Sequence, residues 1–117
     1  MVTITFNSDR VARTLKLKVK GHAGMAEAGK DLVCSAVSIL TYTIAQSVTN
    51  MIQTLLLAEI PHISLKDGDA EISCKCFAHT FNEVESAFRF AITGYTLLMH
   101  SYPQYVRLNV DGEAMKP

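Results

Sequence analysis

No charged residue occurs between Asp31 and Glu59, and nothing else in this chain narrows its fold so much. Across that stretch Val33, Ala36 with Val37, Leu40, Ile44, Val48, Met51 and Leu55 recur at three- and four-residue spacing, the signature of one face of an α-helix. A second stripe, Ser35, Ser38, Tyr42, Gln46, Thr49 and Gln53, is polar but carries no charge. Gln46, Asn50 and Gln53 would be costly in hydrocarbon, so the segment reads as a buried or interface helix of a soluble protein and no membrane partner is expected. Asp31 is the natural N-cap, since its carboxylate can accept the free amide hydrogens of the first turn. A helix from there to about Ala58 would be roughly 40 Å long at 1.5 Å per residue, more than a domain of this size can cover. A second subunit is expected to cover its uncharged face, making a homodimer.

The flanks supply a sheet. Val2, Ile4 and Phe6 alternate with Thr3, Thr5 and Asn7, and Leu15, Leu17 and Val19 alternate with Lys16, Lys18 and Lys20, two half-buried strands in a hairpin whose turn is expected at Asn7-Ser8-Asp9. After Pro61 a strand over His62–Lys66 meets the turn signal Asp67-Gly68, and Ala70, Ile72, Cys74 and Cys76 alternate along its partner. Val84, Ala87-Phe88, Ala91-Ile92, Tyr95 and Leu98-Met99 mark a second helix over 81–101, which Pro103 ends. Tyr105–Val110 is the fifth strand, and the tail after Asp111-Gly112 is expected to fray. The order ββαββαβ predicts an α+β fold, a mostly antiparallel five-stranded sheet covered by two helices, in a single domain over residues 1–117.

Charge and cysteine content exclude several functions. Lys plus Arg and Asp plus Glu both number 11, so no net field recruits nucleic acid and no direct nucleic-acid contact is expected. Three cysteines, two of them the near neighbours Cys74 and Cys76, suit free thiols in a reducing compartment. The first residues lack the features of a signal peptide, so a cytoplasmic location is expected.

The chemistry concentrates between the second strand and the long helix. Gly21-His22-Ala23-Gly24 and Gly29-Lys30-Asp31-Leu32-Val33-Cys34 place a His and a Cys on either side of a glycine-rich loop. With Asp31 as cap, Cys34 is the third helical residue, where free amides and the helix dipole favour an anion. A thiolate is stabilised there, and nearby amides can hold the oxyanion formed when it attacks a carbonyl. His22 can take the thiol proton and return it to a leaving amine, which suits amide hydrolysis and needs neither cofactor nor metal. Asp31 has two possible roles, capping the helix or orienting His22. Gly21, Gly24 and Gly29 would let the loop open for substrate and close over it. The bland alternative is a core cysteine and a solvated loop histidine.

Other signals are weaker. Gly24-Met25-Ala26-Glu27-Ala28-Gly29-Lys30 matches the start of a phosphate-binding loop, but Asp31 stands where a magnesium-holding Ser or Thr is required. Cys74-Lys75-Cys76 with His79 lacks zinc-site spacing, and both thiols fall on a core face. Lys16, Lys18 and Lys20 form a cationic strand face, read as solvated, with guidance of an acidic or ribosome-associated partner as the alternative. Tyr42 and Tyr95, or Phe77 and Phe81, are candidate pocket aromatics, though core packing is the commoner role.

The run Gly21–Gly24 followed by Gly29-Lys30-Asp31-Leu32-Val33-Cys34-Ser35-Ala36-Val37-Ser38 resembles the signature of the Prp family, the ribosomal-processing cysteine proteases of Firmicutes and their relatives. The resemblance implies a homodimeric cysteine endopeptidase that removes a short N-terminal extension from a large-subunit ribosomal protein (L twenty-seven), cutting after a pair of aromatic residues. It puts the catalytic dyad on His22 and Cys34 and gives Asp31 and Ser38 supporting roles. A protein of another class, a non-catalytic ribosome-assembly factor binding ribosomal protein or RNA, is the alternative.

Overall fold

A computed structural model describes residues 1–26 and 31–117. The chain runs β1 (Val2–Asp9), β2 (Thr14–Lys20), α1 (Leu32–Gln53), β3 (His62–Lys66), β4 (Asp69–Lys75), α2 (Phe81–Ser101), β5 (Val106–Val110) and β6 (Glu113–Ala114). The strands form one sheet in the order β3-β4-β2-β1-β5-β6. All neighbours are antiparallel except β1 and β5, which pair in parallel with Val2 opposite Val106. The α+β class and the ββαββαβ order therefore hold, with one addition. The tail expected to fray turns at Asp111-Gly112 and adds β6 to the sheet edge.

Alternation in the sequence becomes two unlike faces of the sheet. Val2, Ile4, Phe6, Leu15, Leu17, Val19, Ile72, Cys74 and Leu108 are buried under the two helices. They meet Val33, Val37, Ile44 and Val48 of α1 and Val84, Phe88, Tyr95 and Met99 of α2, and Phe6 stacks on Phe88 with ring centroids 5.6 Å apart. Burying each Val, Leu, Ile, Phe or Met side chain among them contributes about 1.5–3 kcal/mol. On the open face two of the three lysines are paired: Lys16 lies 3.2 Å from Glu71 and Lys20 bridges Asp69, and these cations hold both carboxyls below the usual carboxylate range. That is the solvated face expected of the Lys16-Lys18-Lys20 strand.

Three boundaries differ from the sequence reading. β1 continues through Asn7-Ser8-Asp9, and the hairpin turns at Arg10–Arg13, where Asp9 accepts the Ala12 amide at 3.0 Å and Arg13 is left-handed. The β5 strand starts one residue late, at Val106. Most of all, α1 stops at Gln53 rather than near Ala58. Leu55 turns left-handed (φ 59°), donating to Ile52 at 3.3 Å while Leu56 donates to Met51 at 3.1 Å. These two bonds satisfy carbonyls of the last turn and end the helix. At 22 residues α1 is about 33 Å long. That fits within a molecule whose longest dimension is 42 Å, so helix length alone no longer calls for a second subunit. By length and composition α1 also qualifies as a membrane span, but Val33, Val37, Thr41, Ile44, Ala45, Val48 and Met51 are buried in the protein itself.

Candidate active site

The site is built where β2 gives way to α1. Asp31 has extended backbone (φ −83°, ψ 105°), and its carboxylate accepts the Cys34 amide at 2.9 Å, so Cys34 is the third residue of the helix as expected. The second carboxylate oxygen accepts the Met25 amide at 2.9 Å. Asp31 thus ties the glycine loop to the helix start and is only 4% exposed. The Cys34 amide first, with the amides of Met25 and Ala26, holds its carboxyl below the usual carboxylate range against the opposing cost of burial. Of the two roles open to Asp31, the structure selects the cap: both oxygens serve backbone amides.

That cap also changes where an oxyanion can be held. The Cys34 amide, one of the first-turn donors, is committed to Asp31, and the Ser35 amide bonds the Asp31 carbonyl at 3.0 Å. The Ala23 amide instead points at the Cys34 sulfur, 3.3 Å away. The thiol therefore lies against the backbone of the residue that follows His22.

His22 is held by its backbone on both sides. Its carbonyl accepts from the Met1 nitrogen at 2.6 Å, and the preceding Gly21 donates to the Gly68 carbonyl at 2.9 Å. Gly21 is required by contact as well as by its φ of 91°: a β carbon there would sit 2.5 Å from the Met1 carbonyl oxygen. The His22 ring lies against Gly68 of the β3–β4 turn.

His22, Cys34, Gly21 and Ser38 line one cavity of about 90 Å³, so the structure brings together most of the residues singled out in the sequence. Ser38 is exposed, one turn beyond Cys34 on α1. Gly24 lies in the same loop with φ 71°, and Gly29 lies outside the described residues. The phosphate-loop match also runs into residues 27–30, outside the described residues, and its Asp31 is already bonded to two amides.

Sequence reasoning missed the far wall, Leu65 to Ala70, which is the β3–β4 turn and its flanks. Asp67-Gly68 announced a hairpin, but only the pairing of β2 with β4, Lys20 opposite Asp69, carries that turn to the end of β2. Among the candidate aromatics only Tyr42 lines the cavity. Tyr95 is buried, its hydroxyl 2.7 Å from Thr41 Oγ1 and its ionisation pushed up to about 12 by burial. Phe81 is in the core beneath the Arg10 guanidinium, and Phe77 stacks on His79. Cys74 and Cys76 are core thiols as expected; burial pushes both up, Cys74 to about 12.

A helix-borne cysteine, an amide at its sulfur and a histidine in the same cavity are the parts of a thiol protease. The sequence profile of the cysteine protease Prp family matches residues 1–107. The chain belongs to the cysteine protease Prp family. It is accordingly a cysteine protease with the Prp fold. Among solved structures it is similar to the ribosomal processing protease Prp from Staphylococcus aureus in complex with a covalently linked product peptide, at 22% identity and a TM-score of 0.69, over 94% of this chain and 99% of that one. The same Staphylococcus aureus protease with a substrate peptide aligns at 20% identity and a TM-score of 0.59, over 94% and 99% of the two chains. SMU.848 from Streptococcus mutans aligns at 25% identity and a TM-score of 0.58, over 94% of this chain and 93% of that one. No curated protein matches in sequence.

Proposed function

We propose that this Prp-family member is a ribosomal-processing endopeptidase that removes the N-terminal extension of a large-subunit ribosomal protein (L twenty-seven), with Cys34 as nucleophile and His22 as its base. The observation that carries the reading is the placement of Cys34 in the first turn of α1, its sulfur against the Ala23 amide, in the cavity that His22 lines. Membership of a cysteine protease family supports the reaction class, and two structural neighbours, both a ribosomal processing protease with bound peptide, support the substrate class.

In the proposed cycle His22 removes the Cys34 proton and the thiolate attacks the scissile carbonyl. The helix N-terminus favours the thiolate, and the Ala23 amide turns from sulfur to the carbonyl oxygen as charge develops there. His22 then protonates the departing amine, leaving an acyl-thioester on Cys34. A water, deprotonated by His22, attacks the thioester and releases the carboxylate product with the thiol restored. Asp31 supports by holding loop and helix together, and Ser38 by lining the floor.

The protein is further proposed to work as a homodimer in the cytoplasm. Free Cys34, Cys74 and Cys76 suit a reducing compartment. Apolar side chains on the outer side of the helices suit a second copy: Phe90 is 84% exposed and Leu97 and Ile39 are each 64% exposed.

The test is mass spectrometry of the ribosomal protein precursor incubated with wild type, Cys34→Ala and His22→Ala. Wild type is expected to release the extension. Each variant should lose at least about 1,000-fold in kcat/KM, in line with removal of one member of a cooperating catalytic group. Near-wild-type cleavage by either variant would sink the dyad. An intact precursor with wild type, beside active cleavage of another peptide, would sink the substrate.

A further inference from the structure

We infer that Gly68, in the β3–β4 turn, is the positioning residue for His22, an inference that rests on the dyad proposed above. Among the described residues no side chain hydrogen-bonds the His22 ring: the Asp31 carboxylate bonds the amides of Cys34 and Met25, and that of Asp69, which lines the same cavity as His22, bonds Lys20. Packing must therefore set where the ring lies, and the packing surface is the bare α carbon of Gly68. A β carbon there would stand 2.5 Å from His22 Nε2, 3.0 Å from Cε1 and 3.2 Å from Cδ2. Carbon does not approach nitrogen that closely, so any other residue at 68 pushes the ring out of its seat.

Three further observations make the contact a built one. The turn is fixed to the base of the His22 loop by the bond from Gly21 to the Gly68 carbonyl, 2.9 Å. The β2–β4 ladder, with Lys20 opposite Asp69, holds the same two segments in register. The turn also lines the cavity together with Cys34 and Ser38, so a ring moved by Gly68 moves within the space the substrate would occupy. Nδ1 is farther from Gly68 than Nε2 is, which leaves Nδ1 as the nitrogen less shielded by the hairpin.

The backbone itself offers the control. Gly68 and Gly112 are both left-handed turn glycines, with φ of 67° and 84°, but a β carbon at Gly112 meets nothing within 4 Å. Alanine at either position meets left-handed backbone, and only at 68 does it also strike His22. Steady-state cleavage of the extension peptide by Gly68→Ala is expected to show kcat lowered about 10- to 100-fold with KM changed less than about threefold, the pattern of a misplaced catalytic group. Gly112→Ala should stay within about twofold of wild type. In thermal unfolding, Gly68→Ala should lower Tm more than Gly112→Ala does, and His22→Ala should relieve most of that difference in the double variant. The unfolding cycle needs no activity, and Gly68→Asn, which tolerates the left-handed region better, serves should the alanine fold poorly.

Equal kcat in Gly68→Ala and Gly112→Ala, or a Tm loss that His22→Ala leaves unrelieved, overturns the inference while an inactive His22→Ala keeps the dyad. Full activity of His22→Ala overturns both, whatever the unfolding cycle shows.

Discussion

At the scale of single residues, the site turns on which polar atoms are already engaged. Asp31 gives one carboxylate oxygen to the Cys34 amide and the other to the Met25 amide, and the His22 ring rests against Gly68. Its pH dependence follows from the same bonds. Because the folded carboxyl ionises below its ordinary value of 3.8, it binds fewer protons folded than unfolded. Its ionic contribution to stability is therefore full above about pH 4 and is lost as pH falls through the lower, folded value. Asp31→Asn should lower Tm by a few degrees at pH 7, since the amide nitrogen cannot accept from Met25, and the gap from wild type should narrow below pH 4 in calorimetric scans. A gap that stays constant to pH 2 would show that the charge of Asp31 does no stabilising. The cap on Cys34 was legible because a carboxylate three residues ahead of a helical amide is a local pattern. The bond to Met25 was not, since it depends on how a loop folds back.

At the scale of elements, the end of α1 shows what a sequence pattern omits. Apolar spacing continues through Leu55, so the periodicity alone carries the helix too far. The stop is made by Leu55 itself in the left-handed region, where glycine is the usual occupant. A leucine there costs about 1–2 kcal/mol in backbone strain, and 78% exposure gives it little burial in return. Leu55→Gly is thus expected to stabilise the protein by about 0.5–1 kcal/mol in urea titration, allowing for the entropy glycine adds to the unfolded chain. Destabilisation would mean that Leu55 contributes packing which its exposure does not suggest. The boundaries of α2 agree with the sequence pattern at both ends, and at the C-terminal one Pro103 supplies a stop that backbone chemistry enforces locally.

At the scale of the whole molecule, the sheet has one covered face, and the helices above it expose apolar side chains of their own. Phe90 and Leu97 lie two turns apart on the outer side of α2, an arrangement that favours a second copy. Phe90→Asp with Leu97→Asp is expected to convert the proposed dimer to monomer in light scattering, while leaving the circular dichroism unchanged. A wild type already monomeric at micromolar concentration would remove the dimer from the proposal. Apart from β6, the strand and helix identities, the cap at Asp31 and the pairing of His22 with Cys34 as candidates were written in local patterns of the sequence. Periodicity and capping act over a few residues, so a linear reading captures them. The strand order β3-β4-β2-β1-β5-β6 belongs to the tertiary structure alone. It is this order that sets Gly68 against the ring of His22, more than forty positions earlier in the chain. Such contacts are fixed by how the sheet closes on its core, and no spacing along the chain encodes them.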